Sequence, residues 1–333
     1  MIKQLSEAFG ISGLENNVRS IITDKLNGVC DNIIVDPMGN LIAVTSENKS
    51  RPTVILSAHM DEPGFIITDI TEDGYLKFDT IGSLDVSTLI SQRVKINEII
   101  GIIALKAIHL STKEEREKPI KVRNLFIDIG ATSHKEAEKF VYIGDYCYFD
   151  TSCKEVGESY IKGKALGGRA GCSILIDLLK RSDEFNVNLV GVFTVQREIS
   201  SRGAIVASRR LPSADLMIVV DSCEAANHKM SNIKSGEGVA VDFFASENDK
   251  VKQQFCTIAS EEGIPYRKVV ASCRTDASSF AENKTNTPIV LLDIPCKYKN
   301  TGINLINKSD IKSVSDLIEA ALRRIESGAF LQN

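Results

Sequence analysis

Four short segments of the chain are apolar throughout rather than alternating: Val54 to Ser57, Leu189 to Val195, Leu216 to Val220 and Ile289 to Ile294. Strands of this kind are covered on both faces, which predicts a central sheet flanked by helices. Helical spacing runs over Ala170 to Leu179 and over Ile311 to Ile325, the latter with Ile311, Val314, Leu317, Ile318 and Leu322 on one side. Near the start, Ser12-Gly13-Leu14-Glu15 has the form of a capping box, and Leu14, Val18, Ile21, Ile22 and Leu26 follow at the period of an amphipathic helix. Asn32 to Val35 and Leu41 to Thr45 read as a hairpin closed over Asp36-Pro37-Met38-Gly39-Asn40. The outer parts of the chain therefore predict an α/β fold, a mostly parallel central sheet with flanking helices.

From about Thr71 to about Tyr160 the texture changes. Short segments such as Arg93-Val94-Lys95-Ile96, Gly101 to Leu105 and Leu125 to Ile129 are separated by Gly, Asp and charge clusters. That pattern predicts a small β-rich, barrel-like unit at 70–159, inserted into a discontinuous α/β domain made of 1–69 and 160–333. The charged stretch Lys113-Glu114-Glu115-Arg116-Glu117-Lys118 reads as a solvated loop. No internal repeat or low-complexity tract is present.

Composition narrows the function classes. At 333 residues and 43% hydrophobic, the chain can bury the cores of two ordinary domains. A net charge of −4 and a pI near 5.7 provide no basic field for nucleic acid or an anionic membrane. No apolar run approaches the roughly 20 residues needed to span a bilayer, and the first residues lack the apolar core of a signal peptide, so a cytoplasmic location is expected. The eight cysteines form no C-x-x-C pair and read as buried, reduced thiols.

Ligands of open α/β sheets sit beyond the carboxyl ends of the strands. His59, one of only four histidines, leaves the first buried strand there, and Asp61 two residues on is placed to hold its second ring nitrogen. Glu198 follows the strand Leu189 to Val195, and Asp221 ends the strand Leu216 to Val220. Polar residues commonly follow strands, so each alone means little; three at equivalent edges point to a present or former metal site.

Longer motifs then become recognisable: Ala58-His59-Met60-Asp61-Glu62 with Gly64-Phe65, Gln92-Arg93-Val94, Leu125 to Ala131, Gly163-Lys164-Ala165-Leu166, Arg169-Ala170-Gly171-Cys172, Thr194-Val195-Gln196, Arg202-Gly203-Ala204 and Thr275-Asp276-Ala277. In order and spacing, over nearly the whole length, the chain resembles the glutamyl aminopeptidase and tetrahedral aminopeptidase family of two-metal exopeptidases, some members of which are labelled endoglucanases. The resemblance implies a zinc-exopeptidase-like fold, a zinc- or cobalt-dependent site, and a β insert that helps assemble dimers into a hollow dodecamer. It assigns one metal to His59 and Asp221 and the other to Glu198, with Asp61 orienting His59. Arg169, Arg274, Thr275 and Asp276 are placed at the substrate cleft.

Three positions depart from the family pattern. Gly167 stands where the bridging aspartate is expected, Arg197 where the general-base glutamate is expected, and Asn300 where the last histidine ligand is expected. Two divalent cations about 3.5–4 Å apart repel by on the order of 15–20 kcal/mol at an effective dielectric of ~20, and Gly167 has no carboxylate to offset this. A guanidinium cannot accept a proton from water at neutral pH. Cys223, Glu224 and His228 lie near Asp221 in sequence but are not fixed toward the cleft by any motif, and Gly167-Gly168 is too short for a phosphate loop.

The expectation is a catalytically inactive or impaired homologue that binds a peptide or peptide-like ligand or serves assembly, with at most one weakly bound ion. It is expected to form a homo-oligomer, from dimer to dodecamer, or a mixed assembly with an active relative. The alternative is an active aminopeptidase with a rearranged single-metal site. A glycosidase reading is more distant, since Glu198 and Asp221 are the sole pair of carboxylates it could use.

Overall fold

The computed structural model describes the chain except for residues 46, 108, 110–111, 226–232, 244–248, 271–273, 284–286 and 327–333. In chain order the strands are β1 (Asn32–Val35), β2 (Leu41–Val44), β3 (Thr53–His59), β4 (Gly64–Ile70), β5 (Leu76–Ile81), β6 (Arg93–Ile96), β7 (Ile99–Leu105), β8 (Leu125–Asp128) and β9 (Tyr146–Phe149). They continue with β10 (Lys154–Val156), β11 (Tyr160–Gly163), β12 (Asn188–Thr194), β13 (Leu216–Glu224), β14 (Val239–Asp242), β15 (Tyr266–Val269), β16 (Ile289–Lys297) and β17 (Asn304–Asn307). The helices are α1 (Ile2–Glu7), α2 (Asn16–Leu26), α3 (Lys113–Glu117), α4 (His134–Ala137), α5 (Leu166–Lys180), α6 (Arg202–Ser208), α7 (Asp249–Glu261), α8 (Asp276–Asn283) and α9 (Lys308–Glu326).

The large sheet runs β1-β2-β12-β3-β13-β16-β17-β11-β10, with β14 and β15 branching from β16. Its four central strands, β12, β3, β13 and β16, are the four continuously apolar segments, and they pair in parallel. Burial on both faces is what removes alternation from their sequences. One face packs on α2, α5, α7 and α9, and the other on α6 and α8. Helix α5 is buried around most of its circumference, which explains why its sequence is apolar nearly all round rather than on one stripe. No helix among the described residues is long and apolar enough to cross a membrane.

Strands β4-β5-β8-β7-β6-β9 close into an antiparallel barrel. Its core is centred on Phe65, which meets Phe78 and Phe149 edge to face at 5.1 Å each. The barrel begins at Gly64, ahead of the boundary expected at residue 70, and β10, expected inside the insert, pairs with β11 of the large sheet. The chain passes from β3 to β4 through only Met60 to Pro63, so no polar linker marks the change. Lys113–Glu117, expected as a loop, is a short helix with its described side chains exposed.

Candidate functional site

The parallel register sets His59 of β3 beside Thr194 of β12, and β13 carries Asp221 on the other side of β3. Just past these strand ends the backbone turns sharply: Gln196 has φ 55°, and Tyr298 and Asn300 after β16 have φ 61° and 62°. Non-glycine residues rarely occupy this region, and such strain collects where side chains or amides must be aimed.

The turn at Gln196 aims amides at Asp61. Its Oδ1 accepts from Arg197 N at 2.9 Å and lies 3.2 Å from His59 Nδ1. Its Oδ2 accepts from Ser12 Oγ at 2.5 Å and from Glu198 N at 2.9 Å. Burial alone would raise the Asp61 carboxyl, but the hydrogen bond and charge of His59, with the Ser12 hydroxyl and the Glu198 amide, outweigh it and bring it down to about 2. Ser12 therefore serves the site rather than a capping box. Helix α2 has Glu15 at its N-cap with no side-chain cap, and Glu15 Oε1 instead accepts from Gly13 N at 2.8 Å and Gln196 N at 3.0 Å.

Arg197 turns inward. Its Nε and Nη2 approach Asp221 Oδ2 at 3.0 and 2.9 Å, and its Nη1 approaches Glu198 Oε1 at 3.3 Å. The other oxygen of Asp221 faces His59 Nε2 at 3.6 Å and Lys299 Nζ at 3.8 Å, and accepts from Ser222 N at 2.7 Å. Burial opposes ionisation of Asp221, yet Arg197, Lys299 and His59 hold its carboxyl well below the usual range. Burial likewise favours neutral His59, but Asp221 and Asp61 on either side push it up to about 10. Three carboxylates, Asp61, Asp221 and Glu198, are thus answered by His59, Arg197 and Lys299.

An added Cβ at Gly167, in the first turn of α5, would meet Ser222 Oγ, so a larger residue there requires the Ser222 side chain to turn aside. Asn300 lies at the rim of the same cavity as His59 and Gly167, and its carbonyl accepts from Asp85 N at 3.1 Å, tying this loop to the barrel segment. Among the described residues no three His, Cys, Asp or Glu side chains are gathered so as to hold a metal ion. Gly167 offers no side-chain donor, Ser222 Oγ lies against it, and Asp221 and Glu198 are both engaged by the Arg197 guanidinium. His228 lies outside the described residues. Cys223 is buried with its thiol pushed up by burial, and Glu224 accepts from Lys299 N at 3.1 Å.

Of the four residues expected at the substrate cleft, Arg274 alone lines it; its guanidinium, half exposed, pairs with Glu282 at 2.7 Å. Arg169 is fully buried and donates to the carbonyls of Met60, Leu5, Ala8 and Gly10 and to Glu62, so it pins the first ten residues to α5 rather than facing a ligand. Thr275 and Asp276 are buried at the start of α8, where Asp276 accepts from Thr194 Oγ1 at 2.5 Å. Small side chains and a Thr-Asp pair in a motif look alike in sequence whether they face the cleft or brace it from behind.

Two spaces adjoin at this site. A small cavity of about 30 Å³ touches His59, Gly167, Gly168, Ser222, Glu198 and Lys299. A cleft of about 580 Å³ is bounded by Arg197, Glu198, Glu224, Arg274, Lys299 and Asn300. Lys299, Ser222, Ser12 and Asp293 were not legible beforehand. Asp293 sits beside Asp221 in the β13–β16 register, and burial, then repulsion from Asp221, holds its carboxyl well above the ordinary value. The single hint was Lys299, next to the departure at Asn300.

The family model described as M42 glutamyl aminopeptidase matches residues 39–317. A lysyl aminopeptidase of Pyrococcus furiosus is 28% identical, over 98% of this chain and 97% of that protein. The crystal structure of a TET aminopeptidase from the marine sediment archaeon Thaumarchaeota archaeon SCGC AB-539-E09 superposes with a TM-score of 0.93 at 28% identity, covering 99% of this chain and 97% of that one. The Pyrococcus horikoshii TET1 peptidase, described as able to assemble into a tetrahedron or a large octahedral shell, has a TM-score of 0.85 at 28% identity, covering 96% and 98%.

Proposed function

Because this chain belongs to the M42 glutamyl aminopeptidase family, we propose that it keeps the family's frame while its own cations stand in for the metal pair, leaving a catalytically inactive or impaired member. The observation that carries this reading is the Arg197 fork closed on Asp221 and Glu198. For an ion to be bound by these carboxylates, the guanidinium would have to leave them, which breaks a buried ion pair. At the same position, Arg197 holds its proton too tightly to act as a general base toward water. The retained cleft supports binding of a peptide or peptide-like ligand, and the assemblies described for the TET1 peptidase support a homo-oligomer, with the barrel as the assembly unit, or a mixed assembly with an active relative. We read its location as cytoplasmic.

A second reading, hydrolysis from a rearranged single-metal site, is favoured by one observation: His59, Asp61 and Asp221 remain together, with His59 Nε2 3.6 Å from Asp221. It offers two protein ligands where three are usual at a catalytic zinc. A panel of aminoacyl-anilides, assayed with added zinc, cobalt and manganese, separates the two. The proposal expects no metal-dependent turnover, and turnover at ordinary enzymatic rates, about 1 s⁻¹ or faster, would overturn it.

A further inference from the structure

Helix α5 is 15 residues long, and its first turn carries no acidic residue. The Leu166 amide is taken by Asn304 Oδ1 at 3.1 Å, and the Arg169 amide reaches back to Ala165 O. Between them, the amides of Gly167 and Gly168 have no acceptor within the helix, and both residues line the small cavity. A helix terminus with bare glycine backbone presents positive partial charge to whatever enters. That alone would be unremarkable.

The independent observation is Ser222. Its side chain is 1% exposed, its Oγ has no hydrogen-bond partner among the described residues, and it lies against Gly167 on the wall of the same cavity. Such a hydroxyl is rarely left unpaired, because burying it without a partner costs about 1–3 kcal/mol. Lys299 stretches over it, donating to Ser222 O, and brings a positive charge to the rim. Glu198, Asp61 and Glu62 line the cavity too, but each charge is answered: Arg197 Nη1 stands 3.3 Å from Glu198, His59 Nδ1 3.2 Å from Asp61, and Lys164 Nζ donates to Glu62 Oε2 at 2.7 Å.

We infer that this cavity is a carboxylate-binding cradle: one ligand oxygen takes the amides of Gly167 and Gly168 with Ser222 Oγ, Lys299 faces the charge, and the rest of the ligand extends into the adjoining cleft. About 30 Å³ holds a water or two, which a small planar oxyanion head can replace while the rest of its molecule lies in the cleft. The inference rests on the reading that no metal pair occupies the site. It names what that site holds instead, with the carboxylate coming either from a small organic acid or from the C-terminus of a peptide.

The test is acetate binding to the full chain, followed by line broadening of ¹³C-acetate, on protein whose metal content has been measured. Saturable binding is expected, with acetate bound more tightly than inorganic phosphate. Ser222→Ala and Lys299→Met are each expected to weaken acetate about fivefold or more, the worth of one hydrogen bond or contact with charge. A tripeptide with a free C-terminus that binds more tightly than acetate, and loses binding when amidated, identifies a peptide terminus. Equal affinity for acetate and the free tripeptide identifies a small acid; both outcomes support the cradle. Metal-free protein that shows no saturable acetate binding, prefers phosphate, or is unaffected by both variants overturns the cradle while leaving the inactive-homologue reading intact. Bound zinc at this site would overturn the two together.

Discussion

Arg197→Met removes the guanidinium from between Asp221 and Glu198 while keeping much of the side chain's bulk. The Arg197 and Asp221 side chains are 9% and 2% exposed, so the variant strands a buried charge rather than trimming a surface ion pair. Removing one member of a buried pair typically costs about 3–5 kcal/mol. Lys299 and His59 still face the other oxygen of Asp221 at 3.8 and 3.6 Å, which sets the expectation at the lower end, about 3 kcal/mol. With an unfolding entropy of about 2.1 cal/mol/K per residue, a 333-residue chain loses about 4 °C in Tm for that cost. Calorimetry and urea unfolding should both register it. Arg197→Lys should recover part of the loss, since it keeps the charge but not the fork. A double-mutant cycle with Asp221→Asn should give a coupling of at least about 1 kcal/mol. An Arg197→Met variant that unfolds within about 1 °C of the parent, or a cycle that is simply additive, refutes the reasoning.

Three further outcomes follow from the same geometry. Ser12→Ala should lower the urea unfolding free energy by about 1–3 kcal/mol, because it leaves a buried carboxylate oxygen of Asp61 one donor short. His59, pushed up from 6.5 to about 10, contributes stability that is complete below pH 6.5 and is lost as pH rises toward 10; Asp61, brought down from 3.8 to about 2, contributes above pH 3.8 and is lost as pH falls toward 2. Urea midpoints should therefore fall on the alkaline side, and His59→Gln should flatten that fall. Gly167→Asp should destabilise by about 1–3 kcal/mol through its clash with Ser222, and Ser222→Ala should relieve it. Added to Arg197→Glu and Asn300→His, that pair should give tight zinc binding by calorimetric titration, whereas the three substitutions without Ser222→Ala should bind weakly.

The frame was legible because its signals are local. Continuous apolar runs announced the four parallel strands, and helical spacing announced α5 and α9. The strand ends His59, Glu198 and Asp221 fall at one edge because parallel strands share a direction. The Ser12 segment was misread because a serine three residues before a glutamate looks the same whether its hydroxyl caps a helix or reaches a carboxylate 49 positions away. The inward turn of Arg197 depends on the φ of Gln196 and on Asp221 across the sheet, neither of which leaves a mark in the neighbouring residues. Arg169 illustrates the converse: a cation inside a motif suggests a ligand, but its four carbonyl acceptors belong to backbone far away in the chain.

The central claim is that protein cations occupy the electrostatic place of the metal pair. Its most direct test is a crystal of the unmodified protein soaked in zinc, with data collected across the zinc absorption edge. The account predicts no anomalous peak within coordinating distance of His59 Nε2, with the Arg197 guanidinium still forked onto Asp221 and Glu198. Two peaks about 3.5–4 Å apart beside that nitrogen, with Arg197 swung out toward the cleft, would contradict it.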